Sequence, residues 1–198
     1  MRIRIARKSD AMTIARLHVE AFRRMGATFL SRLGVKALSD LYSLMMATGG
    51  TIVLVAEEQE GVVGFIAGAA NTRRVALLSF RVVVKALLGC YHMEMSIGEL
   101  MVQGLRHGLY LFNRRLGEDQ SELLIIVIHP RHQGRGIGHE LVRTLVECLR
   151  RIRSESVRVL VDTRWTRALS FYRNVNFVQV GTVKTPSGLM QLLEKRLA

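Results

Sequence analysis

Residues 122–141, ELLIIVIHPRHQGRGIGHEL, constrain the fold more than any other stretch of this chain. The apolar run 123–128 is long enough for a buried strand and breaks at His129-Pro130. A basic, glycine-punctuated turn over 131–138 follows, and a helical pattern opens directly at His139. Glycine allows the backbone to curl without a Cβ penalty. The first turn of the next helix points N–H groups without intrahelical acceptors back into the loop. Such a terminus carries partial positive charge and suits a phosphate or pyrophosphate. Arg131 and Arg135 reinforce that sign. The segment reads as an anion cradle held between a strand and a helix.

The remaining elements follow from periodicity. Residues 2–6 alternate as a strand, and Ser9-Asp10 cap a helix running to about Arg24, with Ile14, Leu17, His18 and Ala21 on one face. A second helix is predicted over 29–46, with Leu30, Leu33, Ala37, Leu41 and Leu44 inward, ended by Gly49-Gly50. Residues 51–57 and 62–69 form a hairpin about the polar turn 58–61. After the central unit come a helix over 139–153, a strand over 157–162 and a short helix over 168–174. A closing hairpin, 177–184 with 189–195, follows. The segment 71–117 stands apart as a helical insertion: an apolar stretch over 75–88 interrupted by Arg81 and Lys85, then an amphipathic helix over 99–116. The first stretch is too short and too charged to span a bilayer. The order predicts a single domain of the α+β kind, a mixed sheet flanked by helices, and not a doubly wound parallel sheet.

Charge narrows the function classes less than its size suggests. The net charge is +13, but the 29 Lys and Arg are spread along the chain, without interleaved stacking aromatics. No direct nucleic-acid role is therefore expected. Between 71 and 115 seven Lys/Arg stand against two Glu, a local excess of five, which leaves contact with a membrane or another polyanion open. Two cysteines, Cys90 and Cys148, supply neither a metal-ligand spacing nor a disulfide framework. No metal is expected, and a cytoplasmic location is the default. The N-terminus has no apolar stretch behind its charges and does not resemble a signal peptide.

Three phosphate-loop patterns compete for the central turn. A P-loop requires Gly-x4-Gly-Lys-Ser/Thr, and no lysine or hydroxyl follows Gly138. A dinucleotide-binding turn requires Gly-x-Gly-x-x-Gly, whereas the glycines here stand at 134, 136 and 138. The third pattern fits. Gln133-x-x-Gly136-x-Gly138, preceded by Val127-Ile128-His129-Pro130 and followed by Leu141, resembles the acyl-coenzyme A motif of the GNAT (GCN5-related) N-acetyltransferase superfamily. The opening strand and Asp-headed helix, the hairpin containing Val63-Gly64-Phe65, and the C-terminal hairpin are similar to that family in the same order. So is Ala168-x-x-Phe171-Tyr172-x4-Asn176-Phe177, which stands where the family has Ala-x-x-Phe-Tyr-x4-Gly-Phe. Two positions depart from the pattern: Trp165 stands where the family often has Asn, and Asn176 replaces a Gly.

The resemblance implies a splayed, mostly antiparallel sheet and an acyl-coenzyme A co-substrate, most simply acetyl-coenzyme A. Backbone amides of Gln133, Gly134, Arg135, Gly136, Ile137, Gly138 and His139 would then hold the pyrophosphate, and Arg131 and Arg135 are candidates for phosphate contacts. The backbone of Val127 and Ile128 would pair with the pantetheine arm as an added strand would. Tyr172 is the candidate general acid for the departing thiolate. Glu122, six residues before Ile128 and therefore expected on the same strand face, is the candidate base for the acceptor amine. His129 and His132 are placed at the loop, and His18, His92 and Cys148 are read as structural. Glu94 and Glu99, in the insertion, are weaker candidates to face an amine. The positive charge favours a small, anionic amine acceptor over a lysine-rich protein, and the apolar face of 75–88 offers a homodimer surface. Two other classes stay open: a coenzyme A-binding module without transfer activity, for which Trp165 is the sequence support, and a membrane- or polyanion-associated protein using 71–117.

Overall fold

The computed structural model describes residues 1–25, 29–92, 96, 98–102, 121–185 and 188–197. Its framework is a mixed, mostly antiparallel seven-stranded sheet in the order β1-β2-β3-β4-β5-β7-β6. The strands are β1 (Arg2–Ile5), β2 (Thr51–Glu58), β3 (Gly61–Ala69), β4 (Ser121–Ile128), β5 (Ser156–Asp162), β6 (Val178–Thr185) and β7 (Gly188–Arg196). Among the described residues only β4 and β5 pair in parallel, and they do so over two positions, Ser121 with Val157 and Glu122 with Arg158. β7 lies between β5 and β6, so the C-terminal hairpin joins the sheet through its second strand and leaves its first, β6, at the edge.

Two apolar cores sandwich the sheet. On one face α1 (Ala11–Met25), α2 (Phe29–Arg32), α3 (Gly34–Ala47) and α4 (Thr72–Leu87) gather around Ile14, Leu38, Leu41, Phe65 and Val127. On the other, α5 (Ile137–Arg151) and α6 (Thr166–Asn174) pack Leu141, Leu145, Leu169 and Tyr172 against Ile66, Leu123, Val159 and Leu193. The three-and-four spacing of apolar residues in α5 puts Leu141, Val142, Leu145, Val146 and Leu149 in the core and leaves Arg143 and Glu147 outside. Exposed Arg143 pairs with Glu140 and Glu147 at the i,i+3 and i,i+4 spacings.

Several expectations need correction. The helix predicted over 29–46 is broken at Gly34, which has φ +87, and a Cβ there would stand 2.7 Å from the His92 carbonyl oxygen. Backbone of the insertion thus packs into the break, a long-range contact that helical periodicity cannot show. Asp10 does not cap α1 directly. It closes a 3-10 turn, Lys8–Asp10, where its carboxylate accepts from the Arg7 amide at 2.7 Å and pairs with Arg4 at 2.7 Å. Arg4 in turn reaches Glu57 of β2, and the guanidinium holds the Asp10 carboxyl below the usual range. His92 is exposed, not structural, although its backbone is used. Glu94 and most of the helix predicted over 99–116 lie outside the described residues.

His18, in contrast, is structural as expected. It is buried on α1, shares a 2.7 Å hydrogen bond through Nδ1 with the Tyr42 hydroxyl, and its ring lies 4.8 Å from that of Phe22. Burial lowers its pKa from 6.5 to about 3. Between those values the unfolded chain binds a proton that the native chain refuses. The contribution is therefore intact above about pH 6.5 and is lost as pH falls toward 3. By about pH 4.5 this group alone removes roughly 2–3 kcal/mol of stability. Urea unfolding at neutral and acid pH checks this: His18→Leu is expected to flatten the acid limb by that amount, and an unchanged limb would reject the assignment.

Candidate functional site

The site begins with an irregularity in β4. Ile125 is opposite Ala67 and Leu123 is opposite Gly68, so Leu124 is an extra residue, a β-bulge. Leu124 and Ile125 consequently pack consecutively against the α1–α3 core, while Leu123 lies in the other core. A bulge bends and twists its strand, and beyond Glu122 the ladder between β4 and β5 is absent. The gap between 124–128 of β4 and 159–161 of β5 is a cleft of about 170 Å³. Its lining takes residues from both cores, Phe22, Leu124 and Val127 from one and Ile126, Val159 and Phe171 from the other, so it sits between them at the split of the sheet.

At the end of β4 the chain turns through a 3-10 turn, Pro130–His132, into α5. Gly134 and Gly136 have φ +77 and +79, conformations costly for any residue with a Cβ. Among the described residues, no backbone carbonyl accepts from the amides of 134–139, and the first α5 bond runs from Glu140 N to the Gly136 carbonyl. Six N–H groups and the positive end of a four-turn helix therefore converge where the sequence placed the cradle. Gly138 lets the helix terminus sit flush: a Cβ would meet Phe171 Cε2 at 3.0 Å and Ile128 Cδ1 at 3.1 Å. The donor set fits a pyrophosphate.

The side chains of the loop are arranged less simply than expected. Gln133 donates through Nε2 to the Ile128 carbonyl at 3.1 Å, closing the end of β4. The Arg135 guanidinium is engaged 3.2 Å from Glu58, the last residue of β2, and 3.0 Å from Nδ1 of buried His132. His132 itself stands 3.2 Å from Glu58. Glu58 was missed in the sequence because nothing local ties a hairpin turn to a loop 77 positions later. Arg131 is exposed, as is His139, whose ring meets Phe171 edge-on at 5.5 Å. His129 receives the Arg131 amide on Nδ1 at 3.3 Å.

Tyr172 lines the cleft from α6. Its ring is buried and held edge-on by Phe171 at 5.3 Å and Phe177 at 5.4 Å. Burial raises its pKa above that of an ordinary phenol, so at neutral pH the hydroxyl carries its proton. Asn176 has φ +64, the left-handed conformation that the Gly at that position of the pattern would take. Trp165 is the N-cap residue of α6 and also lines the cleft, its ring 5.7 Å from Phe22 on α1. The indole and Phe22 thus join the two cores across the gap, a contact between positions too far apart in the chain for local pattern to reveal.

Glu122 is corrected in direction. The bulge at Leu124 shifts the alternation, so Glu122 lies opposite Leu123, on the α1–α3 face, and not with Ile128, which packs against the α5–α6 core. It is buried, opposite Ala69, where β4 and β5 are still paired, and it is not among the cleft-lining residues. Cys148 is half-buried on α5 and packs against the α5–α6 core, and burial pushes its thiol up, away from reactivity. Glu99 is exposed and paired with Arg32 at 3.2 Å.

A family model described as an acetyltransferase (GNAT) domain matches residues 49–179. Among solved structures, the chain is similar to an N-acetyltransferase from Staphylococcus aureus Mu50 (TM-score 0.67, 19% identity, covering 98% of this chain and 100% of that one). It is also similar to a GNAT superfamily phosphinothricin acetyltransferase from Sinorhizobium meliloti solved with acetyl-coenzyme A (TM-score 0.67, 16% identity, 100% and 88% covered). An aminoglycoside acetyltransferase solved with coenzyme A matches with TM-score 0.65 and 16% identity, over 98% of this chain and 93% of that one.

Proposed function

The chain belongs to the GNAT acetyltransferase family, and from that premise we propose that it is an acyl-coenzyme A-dependent N-acyltransferase. The acyl group, most simply acetyl, passes to the primary amine of a small molecule by direct attack in a ternary complex. The observation that carries this reading is the continuity of the six free amides of 134–139 with the open edge of β4 and the cleft behind it. The amides are the pyrophosphate site. The edge of β4 at Val127 and Ile128 offers backbone donors and acceptors to the amide-bearing pantetheine arm. Acyl-coenzyme A supplies the activated thioester, and the residues of this chain position it and move protons around it.

Because the cleft is bordered by both cores, the two substrates reach it from opposite faces of the sheet in this reading. The loop and Tyr172 lie with the α5–α6 core, while Phe22 and the Glu122 side chain lie with α1 and α3. Tyr172 Oη is the proton donor to the departing sulfur. Glu122 takes the proton from the incoming ammonium through water, since it stands back from the cleft wall. Arg135 assists a phosphate by exchanging its bond to Glu58. The net charge of +13 favours an anionic acceptor. Acetyltransferases of similar fold include ones named for aminoglycosides and phosphinothricin, both small molecules. Trp165 forms one wall of the cleft beside Phe22, which supports a reshaped groove more than a blocked one.

Isothermal titration with acetyl-coenzyme A tests the binding half of the reading, and saturable binding at micromolar concentration is the expected result. No heat from a folded protein would reject it. Thiol release across a panel of anionic and neutral amines tests transfer. With an accepted amine, Glu122→Gln should lower kcat by about tenfold to a hundredfold with binding of acetyl-coenzyme A unchanged. An unaltered kcat would remove Glu122 from the chemistry, and binding without transfer to any amine would favour a non-catalytic module.

A further inference from the structure

The face of α4 turned away from the core has a chemistry that acyl transfer does not use. α4 buries Leu78, Val82 and Ala86 against the α1–α3 core. On its other side Leu77, Phe80, Val84 and Leu87 follow the three-and-four spacing of a single stripe that Leu88 continues. Leu77 is 66% exposed, Phe80 64% and Leu88 74%. Arg81 and Lys85 stand four apart on the adjoining row, with Arg74 two turns before them, all exposed. The helix contains no acidic residue. Arg74 donates to the Gly49 carbonyl at 2.7 Å, and Lys85 lies 3.7 Å from Asp40, whose carboxylate accepts from Tyr91. Arg81 therefore presents the most available charge on the row.

We propose that this face seats on an anionic lipid surface, with α4 lying in the plane of the bilayer interface, its apolar stripe in the acyl–headgroup boundary and its basic row on the headgroup phosphates. The pairing of an apolar stripe with a flanking basic row is the pattern of an interfacial helix. The charge complement is supplied by the row itself and by the chain's net +13. A nucleic acid would use the cations but gain little from the stripe, since single strands bind on successive stacking aromatics and Phe80 is the one aromatic among its four aliphatic neighbours. Among the described residues no helix is long and apolar enough to cross a membrane.

Flotation of the full chain with phosphatidylcholine vesicles, with and without phosphatidylglycerol, tests the proposal. The protein should float with the anionic vesicles only, and high salt should weaken the association. Arg81→Glu should reduce binding on the order of tenfold. The double variant Leu77→Glu/Phe80→Glu should reduce it at least as much, and both variants should melt at the wild-type temperature because these side chains are exposed. Equal binding to neutral vesicles, or binding indifferent to the double variant, overturns the proposal. Binding to heparin or RNA that follows Arg81 but ignores Leu77 and Phe80 assigns the row to a polyanion and also overturns it. So does a dimer, seen by light scattering, that the double variant splits while vesicles remain unbound. Acetyl-coenzyme A binding is read separately, so failure here leaves the proposed transferase activity standing.

Discussion

Tyr172→Phe is expected to lower kcat by about a hundredfold or more while leaving acetyl-coenzyme A affinity within about twofold. The substitution removes one oxygen and nothing else that the ring does. The edge-on contacts with Phe171 and Phe177 belong to the ring, and a phenylalanine keeps them. Burial raises the pKa of Tyr172 and keeps the phenol protonated at neutral pH. A donor must hold its proton until the carbon–sulfur bond breaks, and the phenol does so at neutral pH. Stopped-flow thiol detection under saturating amine separates the chemical step from binding. If kcat is unchanged, protonation of sulfur comes from solvent and Tyr172 is only part of the cleft wall. If affinity falls with kcat, the ring has moved and the role is positional.

The sequence displayed those parts of this architecture that depend on neighbours in the chain. Glycines 134, 136 and 138, the break at Pro130 and the apolar stripe of α5 together encode a loop entering a helix, and the six free amides follow from that order. Asn176 at positive φ was readable because few residues tolerate that region. The bulge at Leu124 was not readable. Residues 123–128 are apolar throughout, so no alternation marks which side chain turns to which face, and register is set by β3 across the ladder. Glu122 was assigned to the wrong face for that reason alone. The contact of His92 backbone with Gly34, the Glu58–His132–Arg135 group and the Phe22–Trp165 pair likewise join positions far apart in the chain. The cleft itself is a product of such contacts, since it exists only where β4 and β5 stop pairing.

Gly138→Val should raise the Kd for acetyl-coenzyme A about a hundredfold. A Cβ at 138 already stands 3.0 Å from Phe171 Cε2, 3.1 Å from Ile128 Cδ1 and 3.2 Å from Phe171 Cζ, and valine adds two methyl groups to that space. Ile128 belongs to a strand hydrogen-bonded to β3, and Phe171 is wedged between His139 and Tyr172, so neither yields freely. The first turn of α5 must therefore move off the sheet, and its amides move with it. Weakening two hydrogen bonds to a charged pyrophosphate, at about 1.5 kcal/mol each, amounts to about 3 kcal/mol, or roughly a hundredfold. Thermal stability should fall as well, by about 1–3 kcal/mol of overpacking. Two further variants separate the cause from general damage. Gly181→Ala, in β6 with nothing within 4 Å of the added Cβ, should bind as wild type does. Phe171→Leu in the Gly138→Val background should recover part of the affinity by giving the methyl groups room, a coupling that a double-mutant cycle by titration calorimetry measures directly. Full affinity in Gly138→Val would mean that the pyrophosphate is not held by the start of α5. Loss without any coupling to Phe171 would mean that the close approach of helix and strand is not what aims the amides.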